Sequence, residues 1–576
     1  MAYLNVGAQV GTVERAKAHR IGSNFEILKN DNETADGLLS GKLPVRNFEP
    51  FELPLIPSWE ENPFEDRNWQ FNYHSLRWID VLRREFLRTR DRKYGYAYMH
   101  YLKSWVERNG DPSRDASSEF AWHDMASSYR ASMIAGAITI LGAQSWLLHA
   151  LHEHGTVLAD PSFGTQRGNH ALHVKTGLLI AGDVLNNIPW KKQALERIGE
   201  LLDESIDSQG VDLEGAMSYQ WSNFVWYRNA QEHLLAANMD LPPVFNRLAL
   251  MPEFVAFGTP PTRRPVRFGD SDTSVIKDYP DPTVQFVRTQ GKAGTKPASV
   301  YRKYDAGYIF SRSSWTLPSK NDSLFYSLRF GPSKKDTSHG QHDGGSMTLS
   351  IGDATFVDEN GRYKYQKHEF TSFLASNRAH NSLVFSDIDY NVYAETALIK
   401  SESSANHDWT VVERQETSQS SWRRGVFHNR NENYLVVIDA YTNAGKNGVS
   451  QLWQLPNQAD VKIGAGFSTV SMKGVKQKLR IHSFSSDPAD TKLFKGDKAP
   501  LMGWRSEKYG TVEAAPCLAF SSERANGLFV TVFSVEGLGK KPMSHSVEFD
   551  GNGKATVLGS VSSVSIDIIS GSVDRN

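Results

Sequence analysis

A multidomain α+β chain is predicted, with a helical domain over residues 1–290 and antiparallel β-sheet domains over 291–576. Three observations predict it. Apolar residues recur at helical spacing up to about residue 255; the stretch FGTPPTRRPVRFGDSD, 257–272, interrupts any helix with prolines and an arginine pair; and from Ala298 onward the pattern alternates with a period of two. The 576 residues, 39% of them hydrophobic, also exceed the ~250–300 at which single cores stop growing, so more than one domain is expected.

The first twenty residues lack an apolar segment behind a basic one. No signal peptide is therefore expected in the chain as it stands, which suits a cytoplasmic protein or a processed periplasmic or secreted form. In YHSLRWIDVLRREFLRT, residues 73–89, Leu76, Ile79, Leu82 and Phe86 share one helical face, while Arg77, Arg84 and Arg88 lie opposite, free to look outward or to bridge to a neighbour. Further helical patterns cover 121–152, 168–187, 191–208 and 222–238, with EHGTVLADPSFGT and SQGVDLEGAMS between them as loops. The most apolar run, 133–150, contains Thr139, Gln144, Ser145 and His149; it falls short of the roughly 20 mostly apolar residues of a membrane span and reads as a buried helix. Many helices joined by short loops suggest a helical array or toroid.

The β half is carried by AGYIFSRSSW, LFYSLRF, SMTLSIGDATFVD, NYLVVIDAY, QKLRIHSF, GLFVTVFSVEG and SVSSVSIDIISG, short runs separated by Gly, Asn and Asp. Two packed antiparallel sheets are expected. The single cysteine, Cys517, excludes an intrachain disulfide and any cysteine-based zinc cluster, and its strand-like surroundings predict a buried thiol. Lys and Arg total 64 against 65 Asp and Glu, a net charge of −1, so no basic field points to nucleic acid. An arginine-lined cleft for a polyanion remains compatible with that total. GPSKKDTSHG does not have the order of a phosphate-binding loop.

Three polar clusters hold the candidate chemistry. In FGTQRGNHALH, Asn169 and His170 fall at the start of a helix, where the asparagine is either a cap or a donor aimed out of the helix mouth. In DLEGAMSYQWSNFVWYRNAQEH, Tyr219, Trp221, Trp226 and Tyr227 crowd behind Glu214; such aromatics are core filler or a platform for sugar rings, and a tyrosine hydroxyl can transfer protons. In the third cluster, His339, Gln341, His342 and Asp343 precede a strand that ends at Asp358, and His380 with Asn381 opens another strand downstream. Two histidines and an aspartate from neighbouring strands either ligate a divalent ion through an N2O set or form a hydrogen-bonded polar turn.

Taken in order, Asn169–His170, EGAMSYQ at 214–220, FGDSD at 268–272, HGQHDGGSMTL at 339–349, VDENGRYKY at 357–365 and RAHNSLV at 378–384 resemble the heparinase II/III-like family of polysaccharide lyases over most of the chain. The resemblance implies an incomplete (α/α) toroid followed by an antiparallel β-sandwich, a substrate cleft between them, and cleavage of uronate-containing polysaccharides by β-elimination. It implies Asn169, His170, Tyr219 and His339 as catalytic residues: Asn169 and His170 to neutralise the uronate carboxylate, Tyr219 as base or acid, and His339 near the leaving side. Trp221, Tyr227, Arg167 and Tyr365 are expected to bind substrate, with Tyr227 the competitor of Tyr219 and Tyr363 a further residue bordering the cleft. The family's HGHxD pattern appears here with Gln341 in place of its second histidine and His342 beside it. One structural divalent ion, zinc by its imidazole ligands, is therefore expected on His342, Asp358 and His380, with Gln341 as the substitute for His342.

β-Elimination needs such donors, because the C5 proton of a uronate is poorly acidic until charge developing on the carboxyl group is stabilised. Arg77, Arg130 and Arg167 are candidates for steering an anionic polysaccharide or oligosaccharide. The tryptophan-rich helical half and its arginines favour glycosaminoglycans over alginate. The rival readings are an alginate-type lyase, a glycoside hydrolase using Glu214 and Asp343 as its carboxyl pair, and a non-catalytic carbohydrate-binding protein. No nucleic-acid or membrane partner is expected, and the oligomeric state is left open.

Overall fold

The computed structural model describes residues 6–19, 21, 31–45, 48–316, 322–536, 544–550, 553–559 and 563–575. Parts of the N-terminal stretch read for a leader segment, and parts of the last two strand-like runs, lie outside these. The chain divides into two compact units, Met1–Ser205 with Ser222–Leu248, and Ile206–Trp221 with Ala249–Asn576. The change of pattern near residue 290 thus marks the last helix before the sheets, and the compact β unit begins earlier in the chain.

Among the described residues, ten α-helices precede residue 240: α1 (Val6–Ala18), α2 (Asp31–Leu39), α3 (Arg67–Ser75), α4 (Asp80–Thr89), α5 (Arg92–Asn109), α6 (Asp124–Leu141), α7 (Ser145–Ala159), α8 (Gly168–Val184), α9 (Ile188–Ser205) and α10 (Met217–Ala236). The helical unit is organised around α6 and α8, which pack on each other; α6 also touches α1, α3, α4, α5 and α7. That centrality explains why α6 is buried almost all round and has no narrow apolar stripe. α6 and α8 approach closely because Gly177 faces Ser128: a Cβ on Gly177 would lie 2.7 Å from the serine Oγ.

The pattern over 73–89 resolves into the end of α3, a 3₁₀ turn Arg77–Ile79 and α4, because Leu76 takes a left-handed conformation (φ 56°). Leu76, Ile79 and Leu82 are fully buried as their spacing predicts, and Arg84 bridges to Asp31 and Asp80. The apolar run 133–150 is likewise two helices, broken where Gly142 has φ 80°. The expected loop EHGTVLADPSFGT is helical as far as Ala159; Gly155 is needed inside α7 because Trp190 packs on it, 2.2 Å from where a Cβ would stand. No described helix is long and apolar enough to cross a membrane.

Arg130 is buried in the helical unit. It donates to the carbonyls of His74 and Ala121 and to Ser127 Oγ, and its guanidinium lies 3.9 Å from the Trp105 ring centroid. It is a structural cation and cannot steer a polymer. Arg77 lies over the Tyr129 ring at 4.2 Å.

The second unit contains α11 (Met251–Phe257) and α12 (Pro282–Arg288), then the sheets, with α13 (Glu369–Ala375) between strands. A five-stranded meander runs Tyr301–Tyr304, Tyr308–Arg312, Leu324–Arg329, Met347–Ile351 and Ala354–Val357. An eight-stranded antiparallel sheet has Gly527–Glu536 and Tyr434–Thr442 at its centre, and four-stranded sheets are built on Val449–Gln454 and on Lys554–Leu558. The strand Tyr434–Thr442 shows the layering: Leu435 and Val437 join one core with the five-stranded sheet, while Val436 and Ile438 join a second core with Val557 and Ile566 of the last sheet. The central sheet is therefore covered on both faces, giving three layers where two were expected. This is why NYLVVIDAY reads as a continuous apolar run. Cys517 is buried, as its context predicts.

Candidate active site

Within the second unit three backbone segments are stitched together around His339. His339 N–H donates to Glu214 O at 2.8 Å, Asp270 N–H donates to His339 O at 2.8 Å, and Met217 N–H reaches Phe268 O at 3.3 Å. The approach demands glycine: Gly215 (φ 87°) and Gly269 (φ 64°) are left-handed, and a Cβ on Gly269 would lie 2.3 Å from Gly215 O. The buried Asp343 carboxylate accepts from Gly269 N–H at 3.1 Å and ties the same loop to the start of the next strand.

This frame sets Tyr219 on the first turn of α10 with its ring stacked on His339, centroids 3.8 Å apart and planes at 17°. The Tyr219 hydroxyl lies 2.8 Å from the Tyr365 hydroxyl. Arg362 donates to that same Tyr365 oxygen and is anchored by Asp272 at 2.9 Å. His339 has Nδ1 3.2 Å from Asp270 Oδ2 and Nε2 3.7 Å from Glu214 Oε2, so each ring nitrogen faces a carboxylate. Gln341 donates to the other oxygen of Asp270 at 2.9 Å. Burial pushes the Tyr219 phenol well above the ordinary tyrosine range; Arg362 opposes the shift, and Glu214 and Asp270 add to it. At neutral pH Tyr219 therefore carries its proton.

In the helical unit, Asn169 and His170 stand in the first turn of α8. The N-cap position is Arg167, an exposed residue with no side-chain capping bond, so Asn169 lies inside the helix and is not its cap. His170 Nδ1 is 3.0 Å from Asp124 Oδ1 at the start of α6.

The family models for the heparinase II/III N-terminus and for the heparinase II/III-like C-terminal region match residues 8–280 and 304–527. The chain belongs to the heparinase II/III-like family of polysaccharide lyases. A heparin-sulfate lyase of Bacteroides thetaiotaomicron is 22% identical over 478 residues, 72% of this chain and 67% of that protein. Among solved structures, a mutant of the heparan sulfate lyase HepC from Pedobacter heparinus superposes with TM-score 0.77 at 17% identity, over 99% of this chain and 93% of that one. A heparinase III structure gives TM-score 0.78 at 17% identity, over 97% and 94%. These structural likenesses share the helices-then-sheets fold seen here.

Three of the expected assignments change in the structure: those of Tyr227, of Gln341 and of the metal triad. Tyr227 is buried, its hydroxyl donating to Leu201 O at 2.8 Å and lying 3.0 Å from Ser205 Oγ, so it packs the helical unit and cannot meet a polymer. Trp221 sits edge-on to the buried Tyr279 at 4.7 Å. Gln341 faces Asp270 and belongs to the His339 frame, which removes it as a metal-ligand substitute.

His342, Asp358 and His380 do not converge as a ligand set. The His342 ring stacks on Tyr390 at 4.5 Å, and burial lowers its pKa to about 4. The Asp358 carboxylate is taken by Arg505 and, at 3.4 Å, by Arg267. The acid against His380 Nδ1 is the adjacent Glu359, whose other oxygen accepts from Ser346 Oγ. Among the described residues, the one group of three potential ligands within 4.8 Å of one another is His123, Asp124 and His170. The donors present thus do not fit the expected ion on that triad.

The arginine pair instead makes Asp358 and Glu507 acid-sensitive. Glu507 is held down to about 2 against the burial that would raise it, chiefly by Arg505 and Arg267, and Asp358 is depressed by the same two cations. Depressed carboxylates contribute stability that is present above their unfolded pKa and lost as pH falls through the folded value. Glu507→Gln is therefore expected to destabilise the protein at neutral pH and to shrink its loss of stability between about pH 4.5 and pH 2, measured by urea unfolding across that range. An unchanged acid limb would contradict this.

Asp124, Asp270, Glu359 and Arg362 were not singled out by role from the sequence. FGDSD and VDENGRY contain three of them, but nothing local says which carboxylate meets which histidine.

Proposed function

We propose that the chain cleaves glycosaminoglycans by β-elimination, with Tyr219 supplying the proton to the leaving oxygen. The observation that carries this reading is the Tyr219 phenol, stacked on His339 and hydrogen-bonded to Tyr365. In the reaction the C5 proton of the uronate passes to His339, the C5–H electron pair forms the C4–C5 double bond, and the C4–O4 bond breaks. O4 takes the Tyr219 proton. Asp270 and Glu214 flank the imidazolium that results, and Tyr365 with Arg362 lies where the Tyr219 phenolate regains a proton. The opposite assignment, Tyr219 removing the C5 proton, requires the phenolate already in the resting enzyme, which burial disfavours. Asn169 and His170 are the proposed donors to the uronate carboxylate, whose developing charge is the main barrier.

The glycosaminoglycan class is supported by the heparin-sulfate lyase relative. Hydrolysis is disfavoured because Asp343, one half of the carboxyl pair it needs, is buried against Gly269 N–H and 4.0 Å from Arg329. Digestion of heparan sulfate, hyaluronan, chondroitin sulfate and alginate, with products sized and read by ultraviolet absorbance, tests the reading. Unsaturated products from a glycosaminoglycan are expected. New reducing ends without absorbance would mean hydrolysis, and cleavage of alginate alone would overturn the substrate class.

A further inference from the structure

The carboxylate of Asp124 is built into the helical unit more elaborately than a helix-capping role requires. It opens α6, is 8% exposed, and accepts from the backbone N–H groups of Met125 at 2.6 Å and Thr165 at 3.3 Å. The loop before α8 is moulded on it: Gly164 is left-handed (φ 69°), and a Cβ there would stand 2.5 Å from Asp124 Cβ. Across this contact His170 Nδ1 lies 3.0 and 3.1 Å from the two carboxylate oxygens. The separation is fixed from below, because α6 and α8 touch at Gly177 and Ser128, where Ser128 Oγ donates to His173 O.

We propose that Asp124 is the positioning residue for His170: it holds the imidazole by Nδ1–H, so that Nε2 is presented at a fixed place and angle as the group that meets a ligand. The role of that group rests on the lyase reading above. The hold itself does not. A carboxylate fixed by two backbone N–H groups cannot swing away, and an imidazole bonded through Nδ1 has its tautomer and ring plane set. His170 is accordingly pushed above its ordinary range by Asp124, and Asp124 is held down to about 2. The other titratable groups around the ring are His123, edge-on at 5.9 Å, and His173 one turn along α8; each is itself lowered by burial and so adds little competing charge. Arg77 acts on this group through His173.

A metal reading of His123, Asp124 and His170 is weaker, because His170 Nδ1 is already committed to Asp124, whose carboxylate also accepts from Met125 N–H and Thr165 N–H.

Histidine-selective NMR of the full-length protein tests the proposal. In the wild type, His170 is expected to titrate above the ordinary imidazole range with Nδ1 protonated. In Asp124→Asn its midpoint is expected to fall by about one unit or more. The kcat of Asp124→Asn is expected to drop about tenfold in mildly alkaline buffer and to recover as pH is lowered, with KM moving less; a merely structural role would not restore it. A wild-type His170 that is neutral at pH 7 with Nε2–H alone overturns the proposal even if the variant fails to fold. So does an unshifted midpoint in a folded variant, or one equivalent of zinc bound by the wild type and lost in Asp124→Asn. If the NMR results hold while no polymer is cleaved, the lyase reading fails and the Asp124 clamp stands.

Discussion

Tyr219→Phe is expected to lower turnover by about 10²–10⁴-fold while leaving the fold intact. The substitution keeps the ring that stacks on His339 at 3.8 Å and removes only the hydroxyl that meets Tyr365. Packing is conserved, so circular dichroism and thermal unfolding should match the wild type, and the loss should appear in kcat measured by the ultraviolet absorbance of unsaturated product. Tyr227→Phe is the control. Its hydroxyl bonds Leu201 O and Ser205 Oγ inside the helical unit, so that variant should lose about 1 kcal/mol of stability and keep near-normal turnover. The reverse outcome, an active Tyr219→Phe and a dead but folded Tyr227→Phe, would assign the chemistry to the wrong tyrosine.

Arg424→Met is expected to cost about 3–5 kcal/mol of stability, read as a shift of the urea unfolding midpoint of the full chain. Arg424 and Asp439 are both fully buried and pair through two bonds of 2.8 and 2.7 Å. The remaining guanidinium nitrogen holds the carbonyls of Gly345 and Asn381 at 2.7 and 2.5 Å, and Gln451 donates to Asp439 at 2.8 Å. Removing the arginine strands a charge in the core and frees two backbone carbonyls. Gly345 ends the loop that carries His339, and Asn381 follows His380, so the same cation secures the site loop and the neighbouring His380 segment together. Replacing both charges, as in Arg424→Met with Asp439→Leu, should recover much of the loss, because the penalty lies in the unpaired carboxylate. A single variant costing under about 1 kcal/mol would show that water reaches this pair.

The order of helices and sheets was legible because hydrophobic periodicity is a local property: Val81 and Leu82 of α4 and Leu102 and Trp105 of α5 are buried, and the strand-like runs contain strands over their described residues. The candidate residues Asn169, Tyr219 and His339 were named by the family resemblance, which itself rests on short stretches such as EGAMSYQ and HGQHDGGSMTL. Helix breaks were not legible. Leu76 (φ 56°) and Gly142 (φ 80°) leave helical geometry in the middle of unbroken apolar patterns, and Gly155 stands inside a helix where Trp190 leaves no room for a Cβ.

Which side chains meet was decided only by the tertiary structure. Periodicity assigns a residue to a face, but hydrogen bonds form between atoms a few ångströms apart, and those atoms come from positions such as 124 and 170 or 270 and 339. So the sequence by itself determined a helical half, a β half and the residues able to transfer protons. Folding decided that Glu359 and not Asp358 meets His380, that Gln341 serves Asp270, and that Tyr219 is the tyrosine against His339 while Tyr227 is sealed in a core. The physical reason is range: burial patterns repeat within a few residues, whereas a charge or a hydroxyl finds its partner across whatever chain the fold brings beside it.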